Sequence, residues 1–141
     1  MTKCNELRAK IQAHIPLHGA RLDFMARFIM AVIVVRGVTL STVASALNPG
    51  VLIESNEKRI DRFFREVSFE SELFAKLMLA LLPVKTGLVI TLDRTNWSLG
   101  CCTINILMLG VAYKGLAFPL LWTLLSKKGN SDTRERLDLI D

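Results

Sequence analysis

The chain has 141 residues, of which 51% are hydrophobic and 22% are charged, and its formal net charge is +5. This length can bury one sizeable core. Three cysteines, two of them adjacent at positions 101 and 102, suggest neither a disulfide framework nor a Cys-x-x-Cys zinc site, and they favour reduced cytoplasmic thiols. The polar first residues argue against a signal peptide. The longest apolar run, Phe28 to Val35, is too short to cross a bilayer.

The first 82 residues predict an all-helical domain. Apolar side chains recur at steps of three and four, which is typical of amphipathic helices. We expect helices over residues 18–35, 39–47, 54–67 and 69–82. Gly37, the Asn48-Pro49-Gly50 segment and Pro83 mark where these helices stop.

The third of these helices is strongly basic on one side. Its cations are Lys58, Arg59, Arg62 and Arg65. A short helix, a turn and a basic amphipathic helix suggest DNA binding of the helix-turn-helix type, with these four side chains on phosphates. The alternative is an ordinary solvated face, because Asp61 and Arg65 are spaced for an i,i+4 ion pair.

After Pro83 the periodicity changes to that of strands. Residues 88–92 form an aliphatic run that predicts a strand buried on both faces, and Asp93 follows it directly. A carboxylate at the end of a rigid strand is well placed to hold a metal ion. Residues 103–113 and 116–125 predict a hairpin around Lys114-Gly115, with Pro119 restricting the last strand to an edge. Asp132 and Glu135 are spaced as the capping box of a final helix.

The segment Asp93-Arg-Thr-Asn-Trp97 after a hydrophobic strand resembles the first catalytic block of DDE-type transposases of the insertion-sequence-four family. Residues 96–140 are similar to the block that follows it, and Glu57 to Arg65 is similar to a block in the amino-terminal domain of that family. The resemblance implies an α+β chain. It would consist of a helical DNA-binding domain, residues 1–82, and the first three antiparallel strands and first helix of a truncated ribonuclease H-like core, residues 83–141.

The resemblance also implies the chemistry. In this family, Mg²⁺ ions held by carboxylates promote DNA cleavage and strand transfer at transposon ends. Asp93 would be a metal ligand and the one catalytic residue present. Asn96 would orient the loop, and Trp97 would pack over the core. A second aspartate on a fourth strand and a later glutamate are absent from the sequence, so we expect a fragment that is inactive alone. Four other carboxylates are not expected to replace them, because they lie at cap and surface positions of the last helix: Asp132, Glu135, Asp138 and Asp141.

The predicted partners are the terminal inverted repeats of the transposon, as duplex DNA in the bacterial cytoplasm, together with a second copy or a full-length transposase, and no membrane. Two other interpretations stay open. One is a non-catalytic DNA-binding protein of the same descent that inhibits transposition. The other is an unrelated helical interaction or membrane-associated protein.

Overall fold

The structure, a computed structural model, describes residues 2–68, 70–126 and 129–140, except for the side chain of residue 99. Its helices are α1 (Lys3–Gln12), α2 (Gly19–Val35), α3 (Leu40–Leu47), α4 (Ile53–Glu66), α5 (Ser71–Leu81) and α6 (Thr133–Asp138). Its strands are β1 (Val89–Leu99), β2 (Cys102–Tyr113) and β3 (Leu116–Leu125). Helices combined with a three-stranded antiparallel sheet confirm the predicted α+β class.

The chain divides into two compact units, Met1–Phe69 and Glu70–Asp141. The sequence analysis placed the division later, after residue 82. The difference concerns α5, whose Phe74 ring packs edge-on against Trp122 of β3 at 5.0 Å. Because its apolar side chains contact the sheet, α5 belongs with the strands rather than with the preceding helices.

The core of the first unit is formed where α2, α3 and α4 meet. Its buried side chains are Ala31, Val43, Ala44, Leu47 and Ile60. Phenylalanine rings extend this core between α2 and α4, with Phe24 at 4.8 Å from Phe63 and Phe28 at 5.3 Å from Phe64. The apolar stripe of α4 therefore faces α2, which leaves its polar side outward.

The second unit is built on a meander with the strand order β1-β2-β3. The predicted edge position of β3 is confirmed. A register shift between Leu109 and Gly110 makes Leu120 an extra residue on β3 and sets Pro119 opposite Gly110. This β-bulge accommodates the proline, which cannot donate a hydrogen bond to the ladder. Leu82, Val111 and Leu120 form the buried centre of the unit.

Strand β1 differs from its prediction in two respects. It continues through Leu99, so Asp93 lies inside the strand and pairs with Met108 rather than marking the strand end. Nor is the strand buried on both faces, since Ile90 is 53% exposed and Leu92 is also exposed. β1 is also an edge strand, pairing with β2 alone among the described residues.

The predicted hairpin turn and the predicted helix cap of this unit are both present. Lys114 and Gly115 both have positive φ angles, 50° and 80°, as a tight two-residue hairpin connection requires. At the start of α6, Asp132 Oδ1 accepts a hydrogen bond from the Glu135 N–H, and Glu135 Oε2 accepts one from the Asp132 N–H, both at 2.9 Å. This reciprocal pair is the predicted capping box.

Among the described residues, no single helix is long and apolar enough to cross a membrane. α2 and α3 together have the length and apolar composition of a membrane span, but the pair is bent by 115°.

Candidate functional site

The predicted DNA-binding cations all lie on the exposed side of α4: Lys58, Arg59, Arg62 and Arg65. Three of them, Lys58, Arg62 and Arg65, line one shallow concavity of about 320 Å³. Arg59 and Arg62 share the neighbouring concavity on the side facing α2. The structure thus brings the four side chains together along one surface, with Arg62 in the middle.

The intramolecular partners of these cations differ, and this decides which are available to a ligand. Arg65 forms an i,i+4 ion pair with Asp61, as the solvated-face interpretation expects. Arg59 lies over the Phe24 ring, 5.9 Å from its centre, in a cation–π contact. No carboxylate of the described residues lies within ion-pair distance of Lys58 or Arg62. Lys58 and Arg62 are therefore the two cations of α4 with neither an ion-pair nor a cation–π partner among the described residues, although Asp61 and Glu66 line the same concavity.

Asn56 fixes α4 against α3. It is fully buried, and its Nδ2 donates to the carbonyl oxygen of Ala44 at 2.9 Å and to that of Asn48 at 3.5 Å. Arg27 Nη1 of α2 holds the same connection by donating to Asn48 Oδ1 at 3.0 Å. These bonds satisfy carbonyl groups at the end of α3. They fix the orientation in which α4 presents its cations.

Asp93, the predicted metal ligand, is an exposed side chain on β1. Its Oδ1 accepts a hydrogen bond from the N–H of Arg94 at 2.7 Å. It borders a concavity of about 540 Å³ that Arg94, Ser131 and Arg136 also line. The carboxylate is thus accessible, and the other charged residues lining this concavity, Arg94 and Arg136, are cations.

A magnesium site needs several oxygen ligands, and the described residues do not complete one around Asp93. No group of three or more His, Cys, Asp or Glu side chains within residues 2–68, 70–126 and 129–140 could hold a metal ion. Glu135 and Asp138 line a different concavity, beside Leu121 and Thr123 of β3. Glu72 also borders it, and its pKa is lowered by a hydrogen bond from Lys76 and by that ammonium charge. Asp141 lies outside the described residues.

Among the residues after Asp93, Trp97 does not have the position that the sequence analysis expected. Trp97 is 60% exposed and therefore does not pack over the core. Asn96 lies on β1 and its Oδ1 accepts from Arg94 Nη1 at 3.0 Å. Arg94 Nη1 also donates to the Gly129 carbonyl oxygen at 2.6 Å, which ties the segment before α6 to the sheet.

Sequence reasoning missed Asn56 and Asn105, both of which are almost completely buried. A lone polar residue within an apolar helix stripe or a β-rich segment was the available signal, since buried amides are retained only where they are hydrogen-bonded. Their partners could not be predicted, because they are main-chain carbonyl groups and an arginine side chain in other segments of the chain.

No family model, curated protein or solved structure matches the chain. Its functional interpretation therefore depends on the motifs and on the geometry above.

Proposed function

We propose that this chain is a DNA-binding protein of transposase descent whose helical unit binds duplex DNA through α4. The observation that carries this proposal is the pair Lys58 and Arg62, exposed and without ion-pair partners among the described residues on a helix that Asn56 fixes in place. Neutralising phosphates with such side chains releases counterions and favours binding. Since α4 carries four basic and four acidic residues, the arrangement of charges rather than their sum supports binding.

The transposase part of the proposal is supported by the Asp93 to Trp97 motif and by the hairpin that follows it. Under this proposal the three-stranded sheet belongs to a ribonuclease H-like core, and Asp93 is the first carboxylate of a DDE site. Asp93 would be the one ligand that the described residues contribute to Mg²⁺. The other ligands of such a site would come from outside them, so the described residues alone support binding and not strand cleavage.

The proposed DNA is the terminal inverted repeat of an insertion sequence, bound in the cytoplasm at the bacterial nucleoid. The proposed protein partner is a second copy or a full-length transposase. A second candidate function is inhibition of transposition, in which the chain occupies those ends without cleaving them.

The test is a titration of the full chain with a short DNA duplex at several salt concentrations. We expect the logarithm of the association constant to fall linearly with the logarithm of the salt concentration. In the double variant Lys58→Gln/Arg62→Gln, we expect weaker binding and a slope smaller in magnitude by about two. Each removed phosphate contact lowers the number of released counterions by about one.

The matched control is Lys3→Gln/Lys10→Gln on α1, which removes the same charge from exposed positions of the same unit. If both double variants lose affinity equally, net charge and not α4 governs binding. If the unmodified chain binds no duplex at low salt, the DNA-binding proposal fails. Cleavage of the duplex by this chain with Mg²⁺, abolished in Asp93→Ala, would contradict the expected inactivity.

A further inference from the structure

The concavity beside β1, where Asp93 lies, is also lined by two arginines that the proposed function does not use, Arg94 and Arg136. Its polar lining is Asp93, Arg94, Asn130, Ser131 and Arg136. Two guanidinium groups border it, and no carboxylate of the described residues lies within ion-pair distance of either one. With Asp93 as the single acidic side chain of the lining, the charge there favours an anion.

Arg94 is held rigidly by one of its terminal nitrogens. Its Nη1 donates to the Gly129 carbonyl oxygen, to Asn96 Oδ1 and, at 3.4 Å, to Asn105 Oδ1. Asn105 is 2% exposed and its Nδ2 reaches the same Gly129 oxygen, so the guanidinium plane is fixed. The Nε and Nη2 donors of Arg94 have no acceptor among the described residues, and they remain for a ligand.

Arg136 is oriented in the same manner from α6. Its Nε–H donates to Ser131 Oγ at 3.0 Å, and its Nη2 donates to the Ser131 carbonyl oxygen at 2.9 Å. Ser131 itself is buried, so the groups that accept these two hydrogen bonds are held in place. The Nη1 donors of Arg136 have no acceptor within the part of the chain that the structure describes. An exposed arginine pre-oriented by main-chain contacts loses less side-chain entropy when it binds.

A phosphodiester suits this pair better than a carboxylate or a halide. Its two free oxygens can each accept from one guanidinium, and arginine donors match phosphate geometry closely. We propose that Arg94 and Arg136 bind one backbone phosphate of the DNA strand that is presented to Asp93. This inference rests on the proposed DNA-binding function, and it assigns Arg94 and Arg136 as substrate-positioning residues.

The experiment is an NMR titration of the ¹⁵N-labelled full chain, observing the arginine Nε–Hε signals. The probes are a short blunt-ended DNA duplex and, separately, inorganic phosphate. We expect the duplex to shift the Arg94 and Arg136 signals at concentrations where inorganic phosphate does not. Arg136→Gln should reduce the slope of log affinity against log salt by about one. Arg136→Lys keeps the charge but loses the paired N–H donors of the guanidinium group. It should retain more affinity than Arg136→Gln and less than the unmodified chain.

The control is Arg134→Gln, which removes the same charge from an exposed neighbour on α6 that does not line the concavity. Equal losses in Arg134→Gln and Arg136→Gln would overturn the inference, as would a shift caused equally by inorganic phosphate. If Lys58→Gln/Arg62→Gln weakens binding and Arg136→Gln does not, this inference fails and the proposed function stands. If the unmodified chain binds no duplex, the proposed function fails first. Unchanged tryptophan fluorescence in each variant shows that the sheet is folded, because Trp97 and Trp122 both lie in it.

Discussion

At the residue scale, single side chains and one glycine set the geometry of both candidate surfaces. Asn56 joins α3 to α4, and Arg94 joins β1 to the segment before α6. Gly110 allows β2 to approach β3 at the bulge, since a Cβ at this position would lie 2.9 Å from the Phe118 carbonyl oxygen. Each acts through a contact with main-chain atoms. Even a conservative replacement is therefore expected to lower the stability of the fold.

Gly110→Ala should destabilise the sheet unit. The new methyl group meets a main-chain oxygen that cannot move without disturbing the β2–β3 ladder, and overpacking of this kind costs about 1–3 kcal/mol. Urea unfolding followed by tryptophan fluorescence measures the loss, because both tryptophans of the chain lie in this unit. A midpoint for Gly110→Ala equal to that of the unmodified chain would contradict the steric argument.

At the element scale, α4 and α6 show how a short helix can position functional side chains. α4 packs its apolar stripe against α2 and its buried Asn56 against α3. Its basic side chains therefore lie on its exposed side. α6 has only six residues, and none of them is buried. Such a helix depends on its cap, because its own hydrogen bonds barely compensate for nucleation. The position of Arg136 is therefore linked to the capping box.

Asp132→Ala should fray α6. Loss of an N-cap side chain costs about 0.5–2 kcal/mol, which is large for so short a helix. Amide hydrogen exchange over residues 133–138 measures the effect, and faster exchange is expected there while exchange in β2 stays unchanged. Asp132→Asn should retain slow exchange, because asparagine caps nearly as well as aspartate. Fast exchange in both variants would show that the carboxylate charge, and not the cap, stabilises α6.

At the scale of the whole molecule, the sheet unit presents a large apolar surface. Trp97 is exposed on β1, and Leu124 is 67% exposed on the same side of the sheet. Strand β1 also has an unpaired edge within the described residues. Exposed edges and contiguous apolar faces promote association between chains, so we expect the isolated chain to be poorly soluble.

Thr95→Lys should reduce this association. Thr95 is exposed on β1, and a lysine there places a charge on the edge strand and beside Ile106, its partner on β2. Analytical ultracentrifugation should show a smaller sedimenting fraction than for the unmodified chain. The matched control, Thr42→Lys on the exposed side of α3, adds the same charge in the other unit and should have little effect. A monomeric unmodified chain that melts cooperatively would contradict the expectation itself.

The sequence by itself determined the elements whose information is local. Helix periodicity predicted α2 to α5, the Lys114-Gly115 turn predicted the hairpin, and the spacing of Asp132 and Glu135 predicted the cap of α6. Each of these signals depends on residues within one or two turns of each other, where steric and hydrogen-bonding preferences are fixed by residue type.

Tertiary structure alone decided what depends on distant partners. It assigned α5 to the sheet, made β1 an exposed edge strand and left Trp97 in solvent. It also distinguished Arg65, paired with Asp61, from Lys58 and Arg62, and it brought Arg94 and Arg136 to one concavity. The physical reason is that burial and ion pairing depend on which surfaces meet, and a linear pattern gives the faces of an element but not the neighbour that covers them.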